Sequence, residues 1–289
     1  MKFVKRRFSR TVLYFTAAAL LVTGLLAVST SLTEPYAHIA PDYPKENILP
    51  VLSKTQPENV DYELLFRQTG LARSAVEELR KSSPDFAQLL LRFQENLFSD
   101  IQYVCEKNSP ISSEESVVDQ NGRYINGTQM APLHNGYILI TKSSHTYGWR
   151  NGHAALIVDA EKGLTLESVV LGTNSCIQGI DKWTNYPNFV LLRLKGASLQ
   201  LLDEIAQYAL YHLNGIPYDL TVGILNPKFK KEGKITGTHC SHLIWEAFRL
   251  YRYDLDSDGG IFVTPKDIAN SPCLEVVQVF GVNPKEIWP

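Results

Sequence analysis

The hydrophobic pattern divides the chain into stretches of different character. Residues 11–32 form an uncharged run rich in Leu, Ala and Val, directly behind Lys2, Lys5, Arg6, Arg7 and Arg10. Cations followed by an apolar segment of about 20 residues read as an export signal or a single membrane span. The cations would stay cytoplasmic, so everything after residue 32 is expected outside, secreted or anchored. Residues 33–59 hold five of the 15 prolines and show no periodicity, which predicts an extended linker holding the body off the membrane. Residues 60–106 carry apolar positions at helical spacing, broken at Thr69-Gly70, with a longer helix starting at Pro84. Their apolar faces are too large to leave wet, so this layer is expected to pack on the rest of the chain. Residues 107–135 are polar and rich in Asn, Ser, Gly and Pro, and read as an irregular connector.

The period then changes from helix to strand. Residues 137–141 are a short apolar strand, and 153–159 and 164–171 flank the turn Glu161-Lys162-Gly163 as a hairpin. Residues 189–194 and 275–280 are further strands. Between them, 198–213 is an amphipathic helix with Leu202, Ile205, Ala206, Ala209, Leu210 and Leu213 on one stripe and Gly215 beyond its end. A loop containing Lys228-Phe229-Lys230-Lys231 leads to a last helix, in which Leu243, Ile244, Ala247, Phe248 and Tyr251 recur at helical spacing. The class is α+β, with a central antiparallel sheet packed on that helix and an N-terminal helical layer. The expected division is 1–32 signal or anchor, 33–59 linker, 60–129 helical segment and 130–289 main domain.

Composition changes this picture little. The 289 residues are 44% hydrophobic and 20% charged with a net charge of −2, which offers no electrostatic case for nucleic acid. The four cysteines, Cys105, Cys176, Cys240 and Cys273, fit no Cys-x-x-Cys metal pattern, and in an exported protein they could form two disulfides.

The candidate chemistry centres on Cys240, at the first turn of the last helix behind Gly237, Thr238 and His239. Unpaired N–H groups and the positive end of the helix dipole favour a thiolate there. His153 opens the strand at 153–159. If the hairpin turn centres on Glu161, Ala155 lies opposite Glu167 and Glu167 is a diagonal neighbour of His153 on one face. A slip of one residue would send Glu167 to the other face. Taken singly, these residues have ordinary uses as a buried filler, a strand-end histidine and a solvent-facing strand residue. Together they have the elements of a thiolate, a base and a group that orients the base. His239 and His242 flank Cys240, and His242 with Glu246 has i,i+4 spacing. A metal there would need further ligands, so none is expected, and His242 is expected at solvent or a pocket rim. His38, His134, His145 and His212 have no partners visible in the sequence.

The segments 135–141, 152–159, 166–168, 190–193, 215–219 and 238–245, in that order, resemble the circularly permuted NlpC-type papain-fold hydrolases, often termed YiiX-like. The resemblance covers roughly residues 130–281, and its specific parts are the Gly152-His153 strand and the helix from Cys240-Ser241 to Trp245. It implies a permuted papain-like fold for 130–289, with Cys240 as nucleophile, His153 as general base and Glu167 as the third member. Tyr218, in the Ile216-Pro217-Tyr218-Asp219 segment, matches a family tyrosine that lies beside the site and binds substrate or oxyanion. Where the family has Gly-Asp before the first strand, this chain has Gly136-Tyr137. The implied activity is an exported, cofactor-free cysteine hydrolase cleaving amide bonds, with cell-wall peptides as the natural substrate. Lipid acyl chemistry of the lecithin retinol acyltransferase-like type, and a non-catalytic binding module on the same fold, are the alternatives. The sequence does not give the oligomeric state. A membrane contact is expected through residues 11–32 where they are retained.

Overall fold

The structure, a computed structural model, describes residues 2–33, 36–126, 128–229 and 235–288. Gly127, Lys230 and Lys231 lie outside them. Helix α1 (Lys2–Thr33) contains the segment Val12–Ser29, which is long and apolar enough to cross a membrane and is nowhere buried. A signal sequence meets the same criterion.

Behind it come α2 (Leu49–Leu52), α3 (Asn59–Thr69), α4 (Arg73–Ser82) and α5 (Phe86–Leu97), then strands β1 (Gln102–Lys107), β2 (Ser112–Val118), β3 (Ile138–Thr141), β4 (Ser144–Thr146), β5 (His153–Asp159), β6 (Leu164–Glu167) and β7 (Cys176–Gly179). A 3₁₀ turn, Ile180–Asn185, leads to β8 (Phe189–Leu194), α6 (Leu199–His212), α7 (Cys240–Arg249), α8 (Pro265–Ala269) and β9 (Leu274–Phe280).

The protein is α+β. Its main sheet runs in the order β7-β6-β5-β3-β8-β9, antiparallel throughout. β3, β5 and β8 are nearly continuous apolar runs because both of their faces are covered. Helices α6 and α7 pack on β5 and on each other. Alternation puts His153 and Ala155 on one face of β5, where the small Ala155 leaves room for a close helix.

The N-terminal helices join this sheet through backbone. Between α3 and α4 the chain runs along β9: the Val279 N–H donates to Gly70 O at 2.8 Å and the Ala72 N–H to Val277 O at 2.9 Å. Gly70 has a φ of 73°, and a Cβ there would lie 2.2 Å from Val279 O, so this contact requires glycine. Leu65, Leu71, Val76, Leu90 and Phe93 belong to the same core cluster as the sheet residues.

Three expectations need correction. Residues 36–59 are not a free linker, since Ala37, Ile48 and Val51 are buried and Leu49–Leu52 is helical. The Ile39 N–H donates to Gly281 O, and Asn188 Nδ2 donates to Ala37 O at 2.6 Å. Much of this stretch has no regular structure, and distant groups bond to its backbone. Secondly, the helical segment ends at Leu97, and residues 102–118 form the hairpin of β1 and β2, extended by β4. β1 is exposed on both faces and β2 is rich in Ser and Glu, so neither shows the apolar alternation that marks a strand. Thirdly, β6 stops at Glu167, short of residue 171.

Candidate active site

Helix α7 begins at Cys240, which is 8% exposed. The preceding His239 is extended (φ −129°, ψ 175°) and makes no side-chain cap, so it leaves the first-turn N–H groups uncapped. The approach strand is fixed by a neighbour: Thr238 pairs in parallel with Tyr218, with its N–H on Pro217 O at 3.0 Å and its carbonyl receiving the Asp219 N–H at 2.8 Å. A Cβ at Gly237 would lie 2.6 Å from Asp219 Cβ, so glycine is what lets the two segments run together. This pairing sets Tyr218 beside the helix start.

β5 and β6 supply the second half. Leu156 pairs with Leu166 and Ile157 with Thr165, so continuing the register puts Ala155 opposite Glu167. A bulge between Ile157 and Asp159 absorbs one residue on the turn side and leaves the site end unchanged. The His153 Nε2–H donates to Glu167 Oε2 at 2.6 Å. Its other nitrogen, Nδ1, is not used by Glu167, and the ring lies near enough to Cys240 for each to shift the other's protonation. Cys240, His153 and Glu167 thus meet although they come from a helix and two strands.

Glu167 has no exposed surface and is fully occupied. Lys182 Nζ lies 2.6 Å from Oε2, and Oε1 accepts from Thr165 Oγ1 at 2.6 Å and from Trp183 Nε1 at 3.1 Å. Trp183 also stacks on the His153 ring, with centroids 5.7 Å apart and planes 19° from parallel. Lys182, Trp183 and Thr165 are missed by reasoning from sequence. The first two lie on the 3₁₀ turn and carry no periodic signal. Thr165 is visible only as the residue two before Glu167 on the same face.

The charges follow from these contacts. Burial would push the Cys240 thiol up, but its interactions with the His153 and His239 rings outweigh it and bring it down to about 5. For His153, burial opposes the charged form, and the bonds and charges of Cys240 and Glu167 prevail, raising it to about 9. Glu167 is likewise resisted by burial, yet His153 and Lys182 lower it to about 2. These directions favour, near neutral pH, a thiolate close to an imidazolium that rests on a carboxylate. A thiolate in such a setting has the chemistry of a nucleophile with a proton donor nearby. Burial and the nearby Cys240 charge hold the Tyr218 phenol well above its ordinary range, so it stays a hydrogen-bond donor.

His242 does not face solvent. It is 1% exposed, with Nδ1 3.0 Å from Thr238 Oγ1 and Nε2 2.9 Å from Lys228 O; burial first, then the charge of His239, lowers it to about 4. It is a neutral brace between α7 and the loop at Lys228. Glu246 is engaged by Arg249 at 2.7 and 2.9 Å. His38 bonds to Pro187 O, His134 to Glu78, and His145 lies 3.6 Å from Glu115. All four thiols are unpaired, and no disulfide forms. Among the described residues, metal-ligand spacing occurs at Asp256, Asp258 and Asp267, whose oxygens lie within 4.8 Å of one another; Lys228 already pairs with Asp256.

No protein-family model matches the chain, and no curated protein matches it. Among solved structures, the crystal structure of the metalloprotein yiiX from Escherichia coli O157:H7 aligns with a TM-score of 0.40 and 14% identity, over 50% of this chain and 97% of that one.

Proposed function

We propose that this protein is an exported cysteine hydrolase that cleaves amide bonds, built on a permuted papain-like arrangement. The observation that carries the reading is Cys240, buried at a helix start and close enough to His153 to shift its protonation, with the His153 Nε2 held 2.6 Å from Glu167. In the reaction the Cys240 thiolate attacks the carbonyl carbon, and electrons move to the carbonyl oxygen. The uncapped N–H groups of the first turn of α7 and the Tyr218 hydroxyl stabilise the oxyanion. His153 then gives its proton to the leaving amine, and the thioester forms as the C–N bond breaks. Water, deprotonated by the same imidazole, attacks the thioester and returns the thiolate. Glu167 keeps the tautomer and stabilises the imidazolium in both halves. No cofactor enters these steps.

The apolar, membrane-length α1 supports an extracytoplasmic setting, where cell-wall peptides are the matching substrate class. One observation favours a second reading, acyl transfer or hydrolysis on lipids. Ile224, Leu225 and Ile261 are 62%, 80% and 71% exposed, and Ile261 precedes Phe262, which stacks on His239 next to the nucleophile. Intact-mass detection of a covalent Cys240 adduct during turnover of peptidoglycan fragments and of acyl lipids decides between them. Neither substrate set leaving an acyl-enzyme or product would favour a binding module instead.

A further inference from the structure

The path from α1 into the body is short. α1 ends at Thr33, yet Ala37 O already accepts from Asn188 Nδ2 at 2.6 Å, and His38 Nδ1 lies 2.7 Å from Pro187 O. From Thr33 to Ala37 the chain reaches at most about 14 Å. Asn188 Oδ1 in turn accepts the Lys142 N–H at 2.7 Å, next to Thr141, which pairs with His153. The chain therefore enters the body at the end of the sheet where β3 finishes, β8 begins and β5 opens with His153. The cations of α1 precede its apolar segment Val12–Ser29, which makes Ser29 the outer end of a span. A second contact agrees with this. A Cβ at Gly148 would lie 3.5 Å from Ala27 Cβ, so the turn between β4 and β5 meets α1 just before that outer end. The turn carries the half-buried Trp149 and the exposed Tyr147, whose φ of 51° is one that a bulky residue rarely adopts. Trp and Tyr are the side chains that settle at the headgroup level of a bilayer.

Exposed apolar side chains stand at the same end. Thr238 O accepts from Ser168 Oγ at 3.4 Å, directly behind β6, which brings the start of α7 there. Ser241 Oγ donates to Val263 O at 2.9 Å, so the chain at 261–263 follows. A Cβ at Gly223 would lie 2.1 Å from Ile261 O, so the loop of Ile224 and Leu225 runs against Ile261. All three of these side chains are exposed. We propose that this end of the body is a membrane-docking surface, on which Tyr147, Trp149, Ile224, Leu225 and Ile261 rest in the outer face of the bilayer that α1 spans. The short tether keeps the entry point close to the lipid, and settling these side chains in the interface removes apolar area from water. A second copy or a wall polymer would have to displace the bilayer from the place the tether imposes. The proposal concerns where the body stands, and it holds whether or not Cys240 reacts.

The test uses the full chain reconstituted into phosphatidylcholine vesicles, with and without phosphatidylcholine brominated on the upper acyl chain, a contact quencher of tryptophan. Leu225→Trp adds a reporter to the surface. Leu199→Trp adds one at the start of α6, beyond the opposite end of β8, where Leu199 is also exposed. After subtraction of the unsubstituted emission, bromine should reduce the Leu225→Trp signal roughly twofold or more and leave the Leu199→Trp signal unchanged. Equal quenching of the two reporters, or none at Leu225→Trp, overturns the proposal. A second copy seated on the surface would shield the reporter alike in both kinds of vesicle, and that result overturns it too. Should Leu225→Trp fail to fold, Trp149→Phe decides. It should lower the quenched fraction of the remaining emission, and an unchanged fraction overturns the proposal. Intact mass of the protein recovered from cells should include α1, and its removal overturns the proposal as well.

Discussion

His153 Nε2 lies 2.6 Å from Glu167 Oε2 because a hairpin of β5 and β6 sets their strands two residues out of opposition on one face. The carboxylate is also held by Lys182, Thr165 and Trp183. Glu167→Gln keeps an acceptor but removes the charge under the imidazolium. Turnover on a verified substrate should fall by roughly 10²-fold or more while the chain still folds, with a lowered melting temperature near neutral pH. Glu167→Ala should be worse in both respects, since Thr165 Oγ1 and Trp183 Nε1 lose their acceptor at about 1–3 kcal/mol each. Steady-state kinetics and thermal melts check both.

The same carboxylate links stability to pH. Its folded value of about 2 lies below its ordinary 4.5, so the stabilisation is present above about 4.5 and is lost as pH falls through about 2. His153 has the opposite sign: raised from 6.5 to about 9, it stabilises fully below 6.5 and loses that contribution as pH rises through 9. Denaturant melts across pH should therefore show the unsubstituted chain losing its advantage over Glu167→Gln below about pH 4.5.

Tyr218→Phe should separate oxyanion support from nucleophile formation. The phenol is a neutral donor beside Cys240, placed by the Tyr218–Thr238 pairing rather than by its hydroxyl. Its loss should lower kcat by roughly tenfold to a few hundredfold, with KM and thiol alkylation little changed. An equal loss of alkylation would assign Tyr218 to shaping the thiol instead.

Truncation tests the path of residues 36–59. A chain starting at Tyr36 should keep fold and activity. One starting at Val60 should melt markedly lower, since it loses the buried Ala37, Ile48 and Val51 and the Asn188–Ala37 bond. One starting at residue 130 should aggregate, because Leu65, Leu71, Val76 and Phe93 no longer cover the core. Calorimetry and light scattering distinguish the three.

These relations differ in how far the sequence exposes them. A hairpin turn centred on Glu161 puts Ala155 opposite Glu167, and Leu156↔Leu166 has that register, although the sequence alone leaves a slip of one residue open. The late bulge at Ile157/Asp159 is hidden in sequence, but it falls on the turn side, where it does no harm to the inference. Cys240 is legible because helical periodicity locates the start of α7. The packing of 36–52 is not, since single apolar residues anchored by distant amides leave no period. β1 and β2 are polar on faces where a strand usually announces itself. Lys182 and Trp183 reach Glu167 from an irregular turn, and only the three-dimensional path brings them there. The burial of His242 is not legible either, because it depends on partners, Thr238 Oγ1 and Lys228 O, that spacing alone does not supply.

The central claim is that Cys240 is a preformed nucleophile maintained by His153. Site-resolved alkylation at about pH 6, in the intact chain and in His153→Ala, measures it most directly. The account predicts that Cys240, though buried, reacts far faster than the exposed Cys105 and the half-buried Cys176 and Cys273, and that the substitution removes this advantage. Labelling of Cys240 no faster than Cys105, or undiminished in His153→Ala, would contradict it.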